Sequence, residues 1–342
     1  MFIGMLAVLK RAQTVDTIPM NEQNSNHLAP TQSPTTGVQY LEVSEDDVGQ
    51  RVDNYLLARL KGVPRTHVYK LIRTDEVRVN KKRIKAEYRL QAGDVIRVAP
   101  VRMAERPEQA PVSDRMGDVL NAAVLYEDDA LMVLNKPAGW AVHGGSGVNL
   151  GLIEAVRQWR DHAGRWELAH RLDRDTSGCL IIAKKPSVLK ALQADWENFK
   201  KTYLALVEGQ WAAKDKFVDA PLQKNILQSG ERLVKVSSEG KTALSEFSII
   251  KQWDRLTLVR VKLHTGRTHQ IRVHAQWKKH PLLGDDRYAS DASKDVSKQL
   301  GIKRLMLHAA QLVFKHPVSG DMMTVEAPMP ADIQKVVSKF GG

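Results

Sequence analysis

Cysteine is nearly missing, at one in 342 residues. That excludes a disulfide framework and a zinc site built on thiolates, and it fits a reducing cytoplasm. Long apolar runs are missing too. No stretch approaches the ~18 apolar residues that span a bilayer, so no membrane partner is expected. Neither a G-x-x-x-x-G-K-[ST] loop nor a G-x-G-x-x-G turn after a strand occurs, so no cofactor is expected. His269, His274, His280, His308 and His316 match no familiar zinc spacing, and no Glu sits between paired histidines. No metal is expected. What is in excess is positive charge: 51 Lys and Arg against 39 Asp and Glu give a net charge of +12. Such an excess suits a polyanionic partner, most often nucleic acid. The hydrophobic fraction of 43% is ordinary for a globular protein, and the length points to two domains.

The first ten residues (MFIGMLAVLK) are apolar but lack a basic segment ahead and a small-residue cleavage site behind, so they make a poor secretory signal. Residues 20–37 are rich in Asn, Gln, Ser, Thr and Pro, and residues 1–39 are expected to form a disordered arm. Met20 is an alternative start to Met1, and the intact mass of the native protein distinguishes the two.

A small basic module is expected over residues 40–102. Val52, Tyr55, Leu56 and Leu60 recur at helical spacing until Gly62-Val63-Pro64. A second helix has Val68, Leu71 and Ile72 on its inner face and Arg65, His67, Lys70 and Arg73 on the other. Val77, Val79 and Ile84 flank an Asn80-Lys81-Lys82 turn, a hairpin signal, and Val95–Val98 is a last strand. Between 59 and 89 eleven Lys and Arg face only Asp75, Glu76 and Glu87, a local excess of eight. A solvated charged face is the common outcome of such a run. Here the basic residues share one helix face and the adjoining hairpin, which suits the phosphates of folded RNA. Arg65, Lys70, Arg73, Lys81, Lys82 and Arg83 are the candidate contacts. In the order of GQRVDNYL (49–56), EVRVNKK (76–82) and LQAGD (90–94), the module resembles the S4 RNA-binding domain.

Residues 103–119 are polar, with two prolines and no periodicity, and read as a linker. Residues 120–333 are expected to form the large domain, and 334–342 a C-terminal tail. Apolar runs at Leu131–Leu134, Cys179–Ala183, Tyr203–Val207, Leu256–Leu263 and Ala309–Phe314 read as strands. Only one or two helices are clear, one of them Ser187–Trp196 with Leu189, Leu192 and Trp196 inward. The expected class is α+β, with a mixed, largely antiparallel central sheet.

Four clusters could carry chemistry. HRLDRDTSG (170–178) runs into the apolar strand at Cys179 and places polar side chains at the rim of a cleft. Asp173 is the candidate nucleophile or base, with Arg171 and Arg174 as phosphate holders. The alternative is a salt-bridged turn in which Asp173 caps the Thr-Ser-Gly amides. Cys179 reads as core. TGRTHQIRVH (265–274) follows a strand and takes on helical spacing, so that His269 and Arg272 share a face. KKTYLALVEG (200–209) places Tyr203 at a strand start, where it is either a base-stacking ring or a core residue. NKPAGWAVHGG (135–145) resembles no phosphate loop.

In this order the clusters, with GDDRY (284–288) and RLMLHA (304–309), resemble the RluA family of pseudouridine synthases over about residues 120 to 330. KNILQSGER (224–232) resembles the RluC branch, which modifies 23S ribosomal RNA. Ala289 stands after Tyr288 where Gly is common, at a position that is not catalytic in the family. The resemblance implies isomerisation of uridine to pseudouridine without cofactor or metal: uracil leaves C1′ and rejoins it through C5. It implies Asp173 as the essential carboxylate, whether attacking the sugar or taking the C2′ proton. Arg272 would pair with Asp173 and aim it, and Tyr203 would pack on the uracil and relay the C5 proton. Arg171 would fill the space of the flipped nucleotide, while Arg267, His269 and Gln270 would make supporting or RNA contacts. The implied partner is 23S ribosomal RNA or a large-subunit precursor, met by a cytoplasmic monomer. The rival reading is a non-catalytic RNA-binding ribosome-assembly factor, which the absence of Asp173, Tyr203 or Arg272 would have favoured.

Overall fold

A computed structural model of the chain describes residues 32–34, 37–60, 62–104, 111–144, 150–226 and 232–340. The two candidate start residues, most of the expected arm, residues 105–110 of the expected linker, Gly145 and the centre of the 224–232 segment lie outside the described residues. The described chain divides into a smaller unit that runs to Pro111 and also takes in Lys185–Ser187, and a larger unit made of Val112–Lys184 and the chain from Val188 onward.

In the smaller unit the two helices are Val52–Arg59 and Arg65–Arg73. They pack Tyr55, Leu56, Val68, Leu71 and Ile72 against a four-stranded sheet. The strands run in the order Gln39–Glu42, Val95–Val98, Val77–Val79, Lys82–Arg83. Asn80 and Lys81 carry the tight turn with φ of 49° and 65°, the left-handed pair that a two-residue hairpin needs. Lys82 already belongs to the strand, so the turn is one residue shorter than the sequence reading. Asp53 is buried and accepts a bond from the Tyr69 hydroxyl at 2.7 Å and from Arg51 Nη2 at 2.7 Å, tying the first helix to the second.

The larger unit is built on a ten-stranded sheet. Its main path runs Phe217–Asp219, Leu244–Gln252, Leu256–Leu263, Lys200–Glu208, Leu307–Lys315, Ser177–Ala183, Leu131–Lys136, Val124–Glu127. Met322–Glu326 and Glu167–Leu168 pair off this path. The class expected from the sequence is the class found: every pair in this sheet is antiparallel except Ser177–Ala183 with Leu307–Lys315. That parallel pair depends on Gly178. Its φ is 109°, and a Cβ there would stand 2.2 Å from the Ala309 carbonyl oxygen. Leu180 and Ile182 face one apolar cluster and Cys179, Ile181 and Ala183 another. Burial on both faces explains why this strand reads as an unbroken apolar run.

Six α-helices lie in the described part of this unit, more than the sequence reading found. Asp114–Ala122 starts inside the expected linker, because the Ser113 hydroxyl accepts the Met116 N–H at 3.3 Å and caps it. Ala331–Lys339 occupies most of the expected tail, because Ile333 and Val336, three apart, bury one face. The expected Ser187–Trp196 helix is Pro186–Ala194, with Val188 and Leu192 as its buried residues and Trp196 beyond its end. The expected arm also overreaches. Gln32–Pro34 pairs antiparallel with Arg102–Ala104, and Gln39 opens a strand; backbone pairing needs no apolar side chain.

Candidate active site

The site forms where three backbone features converge beside the parallel pair. The 170–176 loop enters the buried Ser177–Ala183 strand and is pinned at both ends. The Ile181 N–H donates to His170 Nε2 at 3.0 Å, so that nitrogen is unprotonated, and burial pushes the imidazole down to about 3. At the far end Lys136, wholly buried at its strand's end, donates to the carbonyls of Pro137, Trp140 and Arg174 at 2.8, 2.9 and 2.8 Å. Burial pushes Lys136 down to about 7, with Asp175 and Asp173 acting in the other direction. Below that value the ammonium supplies an N–H to each of the three carbonyls.

Between these pins Asp173 projects into a cleft of about 380 Å³, whose lining includes His170, Arg171, Trp196, Tyr203, Arg267, His269 and Arg272. Its side chain does not cap the following amides, so the structural alternative for this cluster fails. Asp173 Oδ2 instead meets Arg272 Nη1 at 3.2 Å and His269 Nε2 at 3.6 Å. Arg272 sits on the helix Gln270–Trp277, and it is held from behind. Its Nε and Nη2 donate to Asp285 Oδ2 and Oδ1 at 2.7 and 2.8 Å. Burial opposes the guanidinium charge, but the bonds and charge of Asp285, and then of Asp173, hold Arg272 above the ordinary arginine value.

His269 is not on that helix face, contrary to the sequence reading. It is the residue before the helix, at φ 53° in the left-handed region. Its Nδ1 lies 2.7 Å from the Tyr288 hydroxyl, which accepts the Val234 N–H at 3.1 Å. The Tyr288 hydroxyl thus links His269 to the backbone at Val234, and the ring's other nitrogen, Nε2, faces Asp173. Burial lowers the His269 pKa, while the Asp173 charge works to raise it.

Tyr203 stands on Lys200–Glu208, paired with Val261 on one side and Ala309 on the other. The ladder shifts register between Thr202 and Tyr203, and such a bulge re-aims a side chain. Burial first, and the Asp173 charge second, push its phenol well above the usual value. The hydroxyl has no hydrogen-bond partner among the described residues and lies beside the cleft. Asp173, Tyr203 and Arg272 therefore come together, with Arg171, Arg267 and His269 on the lining. Arg174 does not join them; its Nε turns to the Gly139 carbonyl at 3.2 Å. Gln270 is scaffold: it is buried, accepts from Thr265 and the Arg267 N–H, and donates to Leu244 and Ser245. Among the described residues no group of three or more His, Cys, Asp and Glu is placed to hold a metal.

Residues 130–277 match the family model described as RNA pseudouridylate synthase, and 50–96 match the S4 domain. The Ribosomal large subunit pseudouridine synthase C of Pasteurella multocida is 51% identical over 304 residues, 88% of this chain and 93% of that one. The protein of the same name from Escherichia coli K12 is 50% identical over 315 residues, 90% of this chain and 98% of that one. The chain belongs to the RNA pseudouridylate synthase family. A solved human structure, RNA Pseudouridylate Synthase Domain Containing 4, shares the fold with a TM-score of 0.55 and 22% identity, over 66% of this chain and 95% of that one.

The synthase is thus an RNA-modifying enzyme with an S4 domain. In that domain Lys70, Arg73 and Arg83 line one groove of about 710 Å³, together with Tyr69 and Lys85. Lys81 lines a different concavity; Arg65 and Lys82 are exposed outside both. The sequence reading assigned no role to Lys136, Asp285 or Tyr288, though all three lie inside motifs it quoted. For Lys136 and Asp285 the signal was a polar residue directly beside an apolar strand or a glycine turn, where burial forces it to find a partner; Tyr288 had no such signal.

Proposed function

We propose that the synthase isomerises specific uridines in 23S ribosomal RNA of the large subunit, with Asp173 as the essential carboxylate. The observation that carries this is the placing of Asp173 in the cleft, aimed by Arg272 at 3.2 Å while Asp285 holds the guanidinium from behind. The names of the relatives support the large-subunit substrate. A uridine in folded RNA must leave the stack to reach Asp173, at a cost of a few kcal/mol, and Arg171 on the exposed rim is the side chain to fill its place. Arg267 and His269 make RNA-side or supporting contacts from the lining. Within the cleft the carboxylate either attacks C1′ or removes the C2′ proton, and either step frees uracil to turn and rejoin through C5. Tyr203, with its phenol held neutral, packs against the base. It can pass on the C5 proton only by handing over its own in the same step.

The S4 unit, over residues 40–102, holds the RNA, while residues 120–333 do the chemistry. Asp173, Tyr203, Arg272 and Asp285 all come from one unit of one chain, which supports a working monomer, and the cytoplasm is where the RNA would be met. The test is Asp173→Asn, which should abolish pseudouridine formation on large-subunit RNA while RNA affinity stays within about twofold. Normal product from that variant would end the proposal. Carbodiimide mapping of large-subunit RNA from cells lacking the gene would identify the uridines.

A further inference from the structure

The sheet of the S4 unit has a second face that the helix-side groove does not use. Side chains alternate along a strand. Val77, Val79, Ile96 and Val98 are buried, so Arg78, Arg97 and Tyr40 point away from the core. The register sets these three in a row across three strands, Tyr40 opposite Arg97 and Arg97 opposite Arg78. At a strand spacing of ~4.8 Å the row is about 10 Å long. It borders a concavity of about 790 Å³ that Asp75, Asn80 and Lys81 also line. Arg83 is the next residue in the row, but its guanidinium turns round the sheet edge to the Arg73 carbonyl at 2.9 Å.

Folding alone gives no reason for this face. Like charges directly opposite each other destabilise a sheet, and Arg97 opposite Arg78 is such a pair. Arg78 has Asp75 at 2.6 Å, whereas Arg97 has no acidic partner among the described residues. Tyr40 is 68% exposed, an aromatic ring without cover. Glu42, the other acid of this face, lies one row away, opposite Val95. A polyanion would relieve the arginine pair, and an unstacked base would cover the ring.

We propose that this sheet face binds an unpaired stretch of the RNA substrate, with Tyr40 stacking on a base and Arg97 and Arg78 taking the neighbouring phosphates. The proposal rests on the reading of the chain as an enzyme acting on RNA. A duplex would present only its backbone here and leave Tyr40 idle, which is why the occupant is single-stranded.

The test is fluorescence anisotropy with the full chain, a short oligouridine and an RNA duplex of the same length. Tyr40→Ala should weaken oligouridine binding about tenfold and leave the duplex unchanged, while Tyr40→Phe should bind like the parent. Arg78→Ala with Arg97→Ala should flatten the logarithmic salt dependence for the oligouridine by roughly 1.4, at ~0.7 per phosphate. The substituted side chains lie on the surface, and circular dichroism checks that the variants fold. Unchanged oligouridine affinity in Tyr40→Ala, an equal loss on the duplex, or an unchanged salt slope would each overturn the proposal. Lys70→Ala with Arg73→Ala separates the two readings. If only that pair weakens binding, the sheet face is idle and the helix-side groove alone holds RNA. If neither pair does, RNA binding by the S4 unit fails as well.

Discussion

Asp285→Asn isolates the brace behind the cleft from the chemistry in it. Asp285 is 2% exposed, and its Oδ1 also accepts the N–H groups of Arg287 and Tyr288, each at 3.0 Å. An asparagine that keeps those two backbone bonds through its own Oδ1 must turn its amide NH2 toward Arg272 Nε. One charge-assisted bond, worth ~1.5–3 kcal/mol, is then replaced by a donor facing a donor. A largely buried guanidinium also loses its main counter-charge, and one-sided removal of a buried ion pair typically costs ~3–5 kcal/mol. The expected loss at neutral pH is about 3 kcal/mol, or roughly 10 °C in Tm for a domain of this size. Activity should fall further. Without Asp285, Arg272 can swing from its single contact at 3.2 Å into a two-pronged grip on Asp173, and misplacement on the order of 1 Å can cost ~10²-fold in rate. The fall should appear in kcat with KM little changed.

The pH dependence gives the decisive reading of that variant. Burial alone would raise the Asp285 carboxyl, but the bonds and charge of Arg272 and the two backbone N–H groups hold it below the usual carboxylate range. The unfolded chain takes up this proton near pH ~3.9, while the folded chain still refuses it. Stability from this group is therefore complete above the unfolded value and is lost as the pH falls through the lower folded value. Melting of parent and variant from pH 7 downward should show the gap in stability narrowing below about pH 4. A gap of the same size at acid and neutral pH, or no gap at pH 7, would refute the brace.

Lys136→Met leaves three carbonyls without their donor and should lower both kcat and Tm. Because burial brings the folded Lys136 to about 7 against ~10.4 unfolded, the unfolded chain holds this proton more tightly between those values. Parent stability should rise with pH across that window, and the variant should lose that part of the slope; an identical slope in both would count against the buried lysine. Gly178→Ala adds a Cβ 2.2 Å from the Ala309 carbonyl at a φ of 109°, so the parallel pair must part. The expected cost is on the order of 4 kcal/mol or more, read by melting, and a Tm near that of the parent would contradict the close approach. Burial pushes the Cys179 thiol up to about 12. A thiol reagent at pH 8 should label it only after denaturation, and rapid labelling of the native protein would show the strand to be open.

Five of the ten strands were legible because each contains an apolar run. The other five, Leu244–Gln252 on the main path among them, were missed because their side chains alternate or the strands are short, and all the legible strands except Leu256–Leu263 were missed at an end as well. Lys200 and Lys201 extend the Tyr203 strand by pairing with Val313 and Leu312, which no apolar pattern could show. The helices were harder. Asp114–Ala122 and Ala331–Lys339 have nine residues each, room for barely two turns of periodicity. At the site, residue types alone left Asp173 open between a catalytic carboxylate and a capping turn, and Tyr203 between a stacking ring and a core residue. Only the family resemblance set those two beside Arg272, and the fold brings all three to one cleft. Their supports were not legible, because Lys136 reaches Arg174 and Asp285 reaches Arg272 through contacts no spacing rule encodes.

The charge excess shows the same limit in another form. Residues 59–89 carry a net excess of eight positive charges, and a single basic surface is the simplest inference. Along a helix, charges three or four apart do share a face, and Lys70 and Arg73 line one groove. Along a strand the side alternates at every residue, and a two-residue turn reverses the chain. Arg78 therefore points out from the sheet beside Arg97, nineteen residues away in sequence, while Arg83 bends round the edge to join Lys70 and Arg73. The sign of the partner follows from summing the charges. How many surfaces meet that partner follows only from the register.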